Sequence, residues 1–131
     1  MGKRYLIDTN VVRKYLEEDL SEAGLTLLDT ILDASESNIS VISRIELLGF
    51  SSVNEDLLHF ITQFIDYSTE YHLTEPIIQK TIELRKSVKV KLPDAIIAAT
   101  ALCNDFILMS DNDSDFGKIP NLRYINPRKL K

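Results

Sequence analysis

LIDTN, residues 6–10, contains the carboxylate of Asp8, which directly follows the short apolar run Tyr5, Leu6 and Ile7. A short apolar run of this kind is typical of a buried strand in a parallel sheet. In an open parallel α/β sheet, ligands bind beyond the carboxyl ends of the strands, where the strand order reverses. We therefore expect Asp8 to stand at the edge of the sheet where such a fold binds its ligand.

The rest of the chain alternates between short apolar runs and segments with helical spacing of apolar residues, which predicts strands separated by helices. The predicted strands are Tyr5–Asp8, Asn38–Ile42, a weaker Tyr67–His72, Phe106–Met109 and Leu122–Ile125. The predicted helices are Val11–Glu18, Glu22–Ala34, Ser43–Phe50, Glu55–Ile65, one from Pro76 to about Val88 with Thr74 as its cap, and Asp94–Asn104, with a short turn or helix at Asp113–Gly117. This order predicts a single doubly wound α/β domain over residues 1–131, a parallel sheet of about five strands with helices on both faces.

The composition agrees with one globular domain, since 131 residues with 44% hydrophobic and 27% charged residues lie near the average for such domains. No apolar run approaches the roughly 18 residues that a membrane span needs, so we expect a cytoplasmic protein. The net charge of -5 argues against non-specific coating of nucleic acid. The basic tracts 85–91 and 128–131 could still form local cationic patches, or could be ordinary solvated surface.

The single cysteine and the two histidines offer no obvious chemistry. Cys103 cannot form an intramolecular disulfide, and its apolar surroundings in the sequence predict a small buried side chain. His59 and His72 fall in a predicted helix and in the weak strand, so we expect ordinary core or surface histidines.

Acidic residues recur where the predicted strands end. The tract Asp111–Asp115 follows the fourth strand, so its side chains would lie beside Asp8 if strands one and four are neighbours. Glu46 lies early in the helix after strand two, and Asp94 opens the helix before strand four. These positions would allow the four acidic groups to converge on one cleft.

Each acid also has a structural explanation. Ser43 and Glu46 have the spacing of a capping box, in which the serine caps the helix and the glutamate returns a hydrogen bond. Asp94 would favour a helix N-terminus, Asp8 or Thr9 could cap the helix that follows the first strand, and the acidic tract could be a solvated turn. The combination favours a site, because several converging carboxylates repel one another and imply a counter-charge. Oxygen ligands without nearby histidine or cysteine favour Mg²⁺, or Mn²⁺ in its place.

Several segments, in order and spacing, resemble those of a known family. They are Leu6–Val12, Ser43–Gly49, Leu92–Ala101, Leu108–Phe116 and the closing Ile119–Pro127. The chain resembles the PIN domain along its whole length, especially the VapC-type toxins of bacterial and archaeal toxin–antitoxin pairs, and LPDAIIAATA at residues 92–101 is the most specific segment.

The resemblance implies a metal-dependent endoribonuclease that cleaves phosphodiester bonds of RNA, with transfer RNA among the candidate substrates. The implied acidic cluster, which would also hold the Mg²⁺ or Mn²⁺, consists of Asp8, Glu46, Asp94 and Asp115, with Asp113 as an alternative for the fourth acid. Thr9, Asn10, Ser110 and Asn112 would support it. The chain departs from the family at Asp111, where an arginine suggested to contact phosphate is common.

The resemblance also implies partners: a small VapB-like antitoxin that inserts a basic or aromatic residue into the cleft, and a second copy of the chain in a homodimer. The alternative function is a catalytically inactive PIN-like module that binds RNA or protein. Two other Mg²⁺-binding classes fit less well. A haloacid-dehalogenase-like phosphatase needs a second acid at position 10, which is Asn10, and a receiver domain needs an Asp at the end of strand three, where the only acid nearby is Glu70.

Overall fold

A computed structural model describes residues 2–49 and 54–131, and within these ranges the chain forms a five-stranded parallel sheet with seven helices. The strands are β1 (Tyr5–Ile7), β2 (Asn38–Ser40), β3 (Thr69–Tyr71), β4 (Ile107–Met109) and β5 (Tyr124–Ile125). The helices are α1 (Thr9–Leu16), α2 (Glu22–Asp33), α3 (Val41–Leu48), α4 (Glu55–Asp66), α5 (Glu75–Ser87), α6 (Leu92–Asn104) and α7 (Asp113–Phe116). The predicted fold class is therefore confirmed.

The order of the strands in the sheet is β3-β2-β1-β4-β5, and every pair of neighbours is parallel. The chain winds outward from β1 through β2 to β3, then crosses to β4 on the other side of β1 and continues to β5. The order thus reverses between β1 and β4. Leu6 is paired with Leu108 and Ile7 with Met109, so these two strands end side by side, which meets the condition for Asp8 and the tract Asp111–Asp115 to lie close together.

The sheet is covered by helices on both faces, because successive side chains of a strand point to opposite sides. Leu6 and Leu108 belong to one apolar core, which includes buried residues of α5 and α6. Ile7 and Met109 belong to a second core, which includes buried residues of α1, α2 and α4. This burial on both faces explains why the strands have continuous apolar sequences and no alternation.

Several boundaries differ from the predicted ones by two residues, and the difference between β2 and α3 affects the site. The strand ends at Ser40 and not at Ile42, because the Ser40 hydroxyl accepts a hydrogen bond from the Ile42 backbone N–H (3.1 Å) and caps a helix that begins at Val41. The helix ends at Leu48 with Gly49 as its C-cap; its predicted end, Phe50, lies outside the described residues. The predicted capping serine, Ser43, therefore lies inside the helix.

The prediction that Cys103 is buried was wrong. Residues Ala95–Ala101 of α6 are buried, but the last turn of the helix emerges from the core and leaves Cys103 exposed, with its Sγ 3.6 Å from the Pro76 carbonyl oxygen. Both histidines are exposed, His59 on α4 and His72 just after β3. None of the helices in the described part of the chain is long and apolar enough to cross a membrane.

Candidate active site

Asp8 occupies the end of β1 and caps the next helix. Its backbone N–H donates to the Met109 carbonyl oxygen (3.0 Å), which extends the β1–β4 pairing by one residue. Its carboxylate accepts hydrogen bonds from the Thr9 backbone N–H at Oδ1 (2.8 Å) and from the Ser110 hydroxyl at Oδ2 (2.8 Å). The predicted cap at this position is thus present, and the same carboxylate is held between two neighbouring strand ends.

Asp8 is an unusual carboxylate because the residue is only 4% exposed and, within the described part of the chain, its hydrogen-bond donors are the uncharged Thr9 N–H and Ser110 hydroxyl. Burial raises its pKa to about 7, although the bonds from Ser110 and Thr9 act in the opposite direction. The negative charges of Asp94 and Glu46 raise the pKa further. These interactions place both acids in the electrostatic neighbourhood of Asp8.

Glu46 projects from α3 and is bound to the start of α1. The Thr9 hydroxyl donates to Glu46 Oε1 (2.7 Å) and lies 3.1 Å from the Ser43 hydroxyl. Ser43 and Thr9 are both buried, whereas Glu46 is exposed. The capping-box explanation of Glu46 is therefore wrong, because Ser40 caps the helix and Glu46 is held by a residue of another helix.

Asp94 lies in the first turn of α6, whose N-cap is Lys91, so Asp94 itself is not the cap. Burial raises its pKa to about 6, and the nearby Asp115 raises it further through its charge and a hydrogen bond between the two carboxyl groups. The charge of Glu46 also raises this pKa, and that of Lys91 lowers it. Asp94 is therefore linked to Asp8, Glu46 and Asp115.

Asp115 is oriented by the short helix α7. Asn112 caps this helix, its side-chain oxygen accepting from the Asp115 backbone N–H (3.3 Å), and its Nδ2 donates to Asp115 Oδ2 (2.9 Å). The hydrogen bond from Asn112 lowers the pKa of Asp115. Asn112 is in turn held by Ser110, whose hydroxyl accepts from the Asn112 backbone N–H (3.1 Å). Ser110 thus connects Asp8 with the segment that positions Asp115.

Asp113 points away from this group of acids. Its carboxylate accepts hydrogen bonds from Lys129 Nζ (2.7 Å), the Tyr124 hydroxyl (3.0 Å) and Asn126 Nδ2 (3.1 Å). The bond from Lys129 is the main reason that its pKa is lowered. Among the candidates for the fourth acid, the structure therefore places Asp115 beside Asp94 and Asp113 against the C-terminal segment.

Two remaining positions border the site. Asn10 Oδ1 lies 3.5 Å from the Asp111 backbone N–H, a long contact between the strand ends. Asp111 Oδ2 lies 4.0 Å from Arg128 Nη1, so this acid has a cation beside it.

Lys118, whose Nζ lies 3.6 Å from Asp115 Oδ1, was not singled out from the sequence. A lone lysine three residues after an acid resembles an ordinary surface pair, so its sequence gives no signal of a role at the site.

The donor set fits a hard divalent cation, because Asp8, Glu46, Asp94 and Asp115 supply only carboxylate oxygens and burial disfavours charge on two of them. Within the described ranges, no three His, Cys, Asp or Glu side chains are close enough together to form a ready-made metal cage. Mg²⁺ does not require one, since it is usually held by one or two carboxylates, several waters and substrate phosphate. The residues therefore fit an open magnesium or manganese site.

Fold and site together define an α/β domain with an acidic cluster at the reversal point of its sheet. The sequence profile of the PIN domain matches residues 5–122, and the chain belongs to the PIN domain family. The resemblance recognised in the sequence is thereby confirmed.

Solved structures share this fold over nearly their whole length. The chain is similar to one in a toxin-antitoxin complex from Klebsiella pneumoniae, with 25% identity, a TM-score of 0.73, and coverage of 96% of this chain and 99% of that one. It is also similar to a chain of VapBC-1 from nontypeable Haemophilus influenzae, with 21% identity, a TM-score of 0.79 and coverage of 95% and 98%. A third similar structure is VapBC2 from Rickettsia felis bound to a DNA fragment from its promoter, with 20% identity, a TM-score of 0.77 and coverage of 93% and 97%. A comparison with curated proteins gave no significant match.

Proposed function

We propose that this chain is a cytoplasmic, Mg²⁺- or Mn²⁺-dependent endoribonuclease, the toxin of a VapBC-type toxin–antitoxin pair. The observation that carries the proposal is the mutual influence of Asp8, Glu46, Asp94 and Asp115 at the reversal point of the sheet, where burial and like charges raise two pKa values. Perturbed acids grouped in this way are typical of functional sites.

In this proposal Asp8 and Asp94 are the main ligands, and Glu46 and Asp115 complete the coordination directly or through water. A bound Mg²⁺ or Mn²⁺ supplies a Lewis acid that lowers the pKa of water and stabilises negative charge on phosphate oxygens. The neighbouring residues fix the ligands: Ser110 and the Thr9 backbone orient Asp8, and the Thr9 hydroxyl orients Glu46. The charge of Asp115 and its contact with Asp94 raise the pKa of Asp94, so a bound cation would relieve the repulsion between these two carboxylates.

The substrate we propose is single-stranded or looped RNA, with transfer RNA among the candidates, because exposed nucleotides can enter a cleft that a duplex cannot. The test uses purified protein and a labelled single-stranded RNA with Mg²⁺, Mn²⁺ or EDTA. We expect cleavage with either metal and none with EDTA. Persistent absence of cleavage by the wild type, with RNA still bound, would favour the alternative, a catalytically inactive binding module.

A matched pair of variants tests the assignment of the fourth acid. Asp115→Asn and Asp113→Asn make the same change two residues apart, but only Asp115 contacts Asp94. We expect Asp115→Asn to lower the cleavage rate by at least about tenfold, whereas Asp113→Asn retains the wild-type rate in its folded fraction. Equal loss in both variants would contradict the assignment.

We further propose a VapB-like antitoxin as partner. The proposal is supported by the similarity to chains from toxin–antitoxin and VapBC complexes and by the negative charge of the site, which would attract a basic side chain. A homodimer is supported by exposed apolar side chains on α3 and at the start of α6, where Ile45, Leu48 and Leu92 are 60%, 45% and 53% exposed. Light scattering of the chain, alone and coexpressed with a neighbouring small gene product, tests both proposals.

A further inference from the structure

A cationic cavity of about 360 Å³ lies beside the acidic cluster. Its lining consists of Arg85, Lys89, Val90, Lys91, Asp115 and Lys118, which are four cations, one apolar residue and one acid. In a chain of net charge -5, this is a concentrated patch of the opposite sign. We call these residues the basic pocket.

The connection between α5 and α6 is held in a fixed position. Val90 is buried in the core beneath α6, and its carbonyl oxygen accepts a hydrogen bond from Arg85 Nη1 (2.7 Å). Lys89 and Lys91, on either side of Val90, are both exposed. Because the buried residue anchors the segment, the two lysines are presented to solvent from a rigid backbone, which lowers the entropic cost of a contact with a ligand.

The cations of the basic pocket are available for a ligand. Lys89 forms no ion pair or hydrogen bond within residues 2–49 and 54–131. Lys118 is paired with Asp115 at 3.6 Å, with both side chains partly exposed, and a pair of this kind contributes little to stability. Arg85 uses one guanidinium nitrogen for Val90 and retains further donors. An anion could therefore bind here without breaking a strong interaction.

The basic pocket adjoins the acidic cluster directly. Asp115 lines the pocket and contacts Asp94, and Lys91 is the N-cap of the helix that carries Asp94. A ligand that carries a phosphate at the acidic cluster and further phosphates along a chain would therefore place its next negative charges beside these lysines. A nucleic-acid strand carries a negative charge at every phosphate along its backbone.

We infer that the basic pocket binds backbone phosphates of single-stranded RNA next to the bond that is cleaved, and so directs the strand along the junction of α5 and α6. The inference rests on the proposed function and adds to it the surface that holds the substrate.

The test measures binding of a fluorescent single-stranded RNA by anisotropy, in EDTA and in an Asp94→Asn background, so that no strand is cut and less negative charge repels it. Lys89→Gln and Lys118→Gln are compared with Lys86→Gln, an exposed lysine of α5 that does not line the pocket. We expect each pocket variant to weaken binding about three- to tenfold and to reduce the slope of log K against log salt by about 0.7. The control should change affinity less than about twofold.

Three results would overturn the inference: unchanged affinity in both pocket variants, an equal loss in the control, or preferential binding of a polyglutamate peptide over RNA. The last result would assign the pocket to an acidic segment of a protein partner. Cleavage by otherwise wild-type protein with Mn²⁺ separates this inference from the proposed function. If the wild type cleaves RNA and both the Lys89→Gln and Lys118→Gln enzymes bind and cleave equally well, only the pocket is wrong. If the wild type neither binds nor cleaves RNA, both are wrong.

Discussion

Asp8→Asn should stabilise the metal-free protein at neutral pH, although it removes a residue at the centre of the proposed site. The folded state holds this carboxyl with a pKa raised from 3.8 to about 7. Ionisation is therefore less favourable in the folded chain than in the unfolded one. Wild-type stability falls as the pH rises above about 4, and the full penalty is present above about pH 7.

The size of the effect follows from the difference between the ordinary pKa of an aspartate and the pKa of Asp8 in the folded chain. Each pH unit corresponds to about 1.4 kcal/mol, so the interval from 3.8 to about 7 amounts to about 4 kcal/mol. The asparagine oxygen can still accept from the Thr9 N–H, but its NH₂ group faces a Ser110 hydroxyl that previously donated to Asp8. Loss of that hydrogen bond costs about 1 kcal/mol. We therefore expect a net gain of about 3 kcal/mol at pH 8.

The assay is urea unfolding in EDTA, followed by circular dichroism, at several pH values between 4.5 and 8.5. A gain of this size would raise the urea midpoint of Asp8→Asn above that of the wild type by about 1 to 2 M at pH 8. The midpoints of the two proteins should converge as the pH falls towards 4.5. Asp113→Asn is the control of opposite sign: the pKa of Asp113 is lowered, so its contribution to stability is present at neutral pH and disappears in acid. If Asp8→Asn is no more stable than wild type at pH 8, our account of the buried carboxylate is refuted.

Three further predictions follow from the contacts around the site and the core. Gly24→Ala should destabilise the protein by about 1 to 3 kcal/mol in urea unfolding, because a Cβ at this position would overlap the Pro127 carbonyl oxygen. Alanine otherwise favours helices, so a neutral result would contradict this packing. Thr9→Val should lower the cleavage rate by about 10- to 100-fold by releasing Glu46, and a wild-type rate would show that this hydrogen bond does not position Glu46 for catalysis. Mn²⁺ at a hundred times its dissociation constant should stabilise the wild type by about 2.7 kcal/mol in thermal unfolding. The same Mn²⁺ should leave the stability of Asp94→Asn nearly unchanged, and equal stabilisation of both proteins would argue against Asp94 as a ligand.

The sheet and its helices could be predicted from the sequence because their signals are local. Apolar runs bounded by polar residues gave the strands, and helical spacing gave most of the helices to within a few residues. The error at the start of α3 arose because Ser40 and Ser43 are both plausible caps in sequence. In the structure Ser40 is the cap, and the Ser43 hydroxyl contacts Thr9, a residue more than thirty positions away. Likewise, Cys103 has apolar neighbours in sequence but belongs to the turn of α6 that leaves the core.

The position of Asp8 and of the tract 111–115 at strand ends was also predictable, since both directly follow apolar strands of a parallel sheet. Which acid of the tract 111–115 turns inward was not. Asp113 and Asp115 lie on the same short helix, and their directions are decided by their partners. Asp113 accepts hydrogen bonds from Lys129 and Tyr124 of the closing segment. Asp115 is held near Asp94 by its hydrogen bond with Asn112. These contacts join residues separated in sequence, so no local pattern reveals them.

The net charge of a chain is a poor guide to nucleic-acid binding when charges of opposite sign occupy adjacent regions. The acidic cluster contributes part of the charge of -5, and the basic pocket next to it has the sign that a phosphate chain requires. The two regions meet at the pair formed by Lys118 and Asp115. A metal ion in the acidic cluster would reduce the repulsion between its carboxylates and a phosphate, so RNA affinity should rise on ion binding even without cleavage. The net charge of the whole chain therefore does not describe the local surface that the proposed substrate would meet.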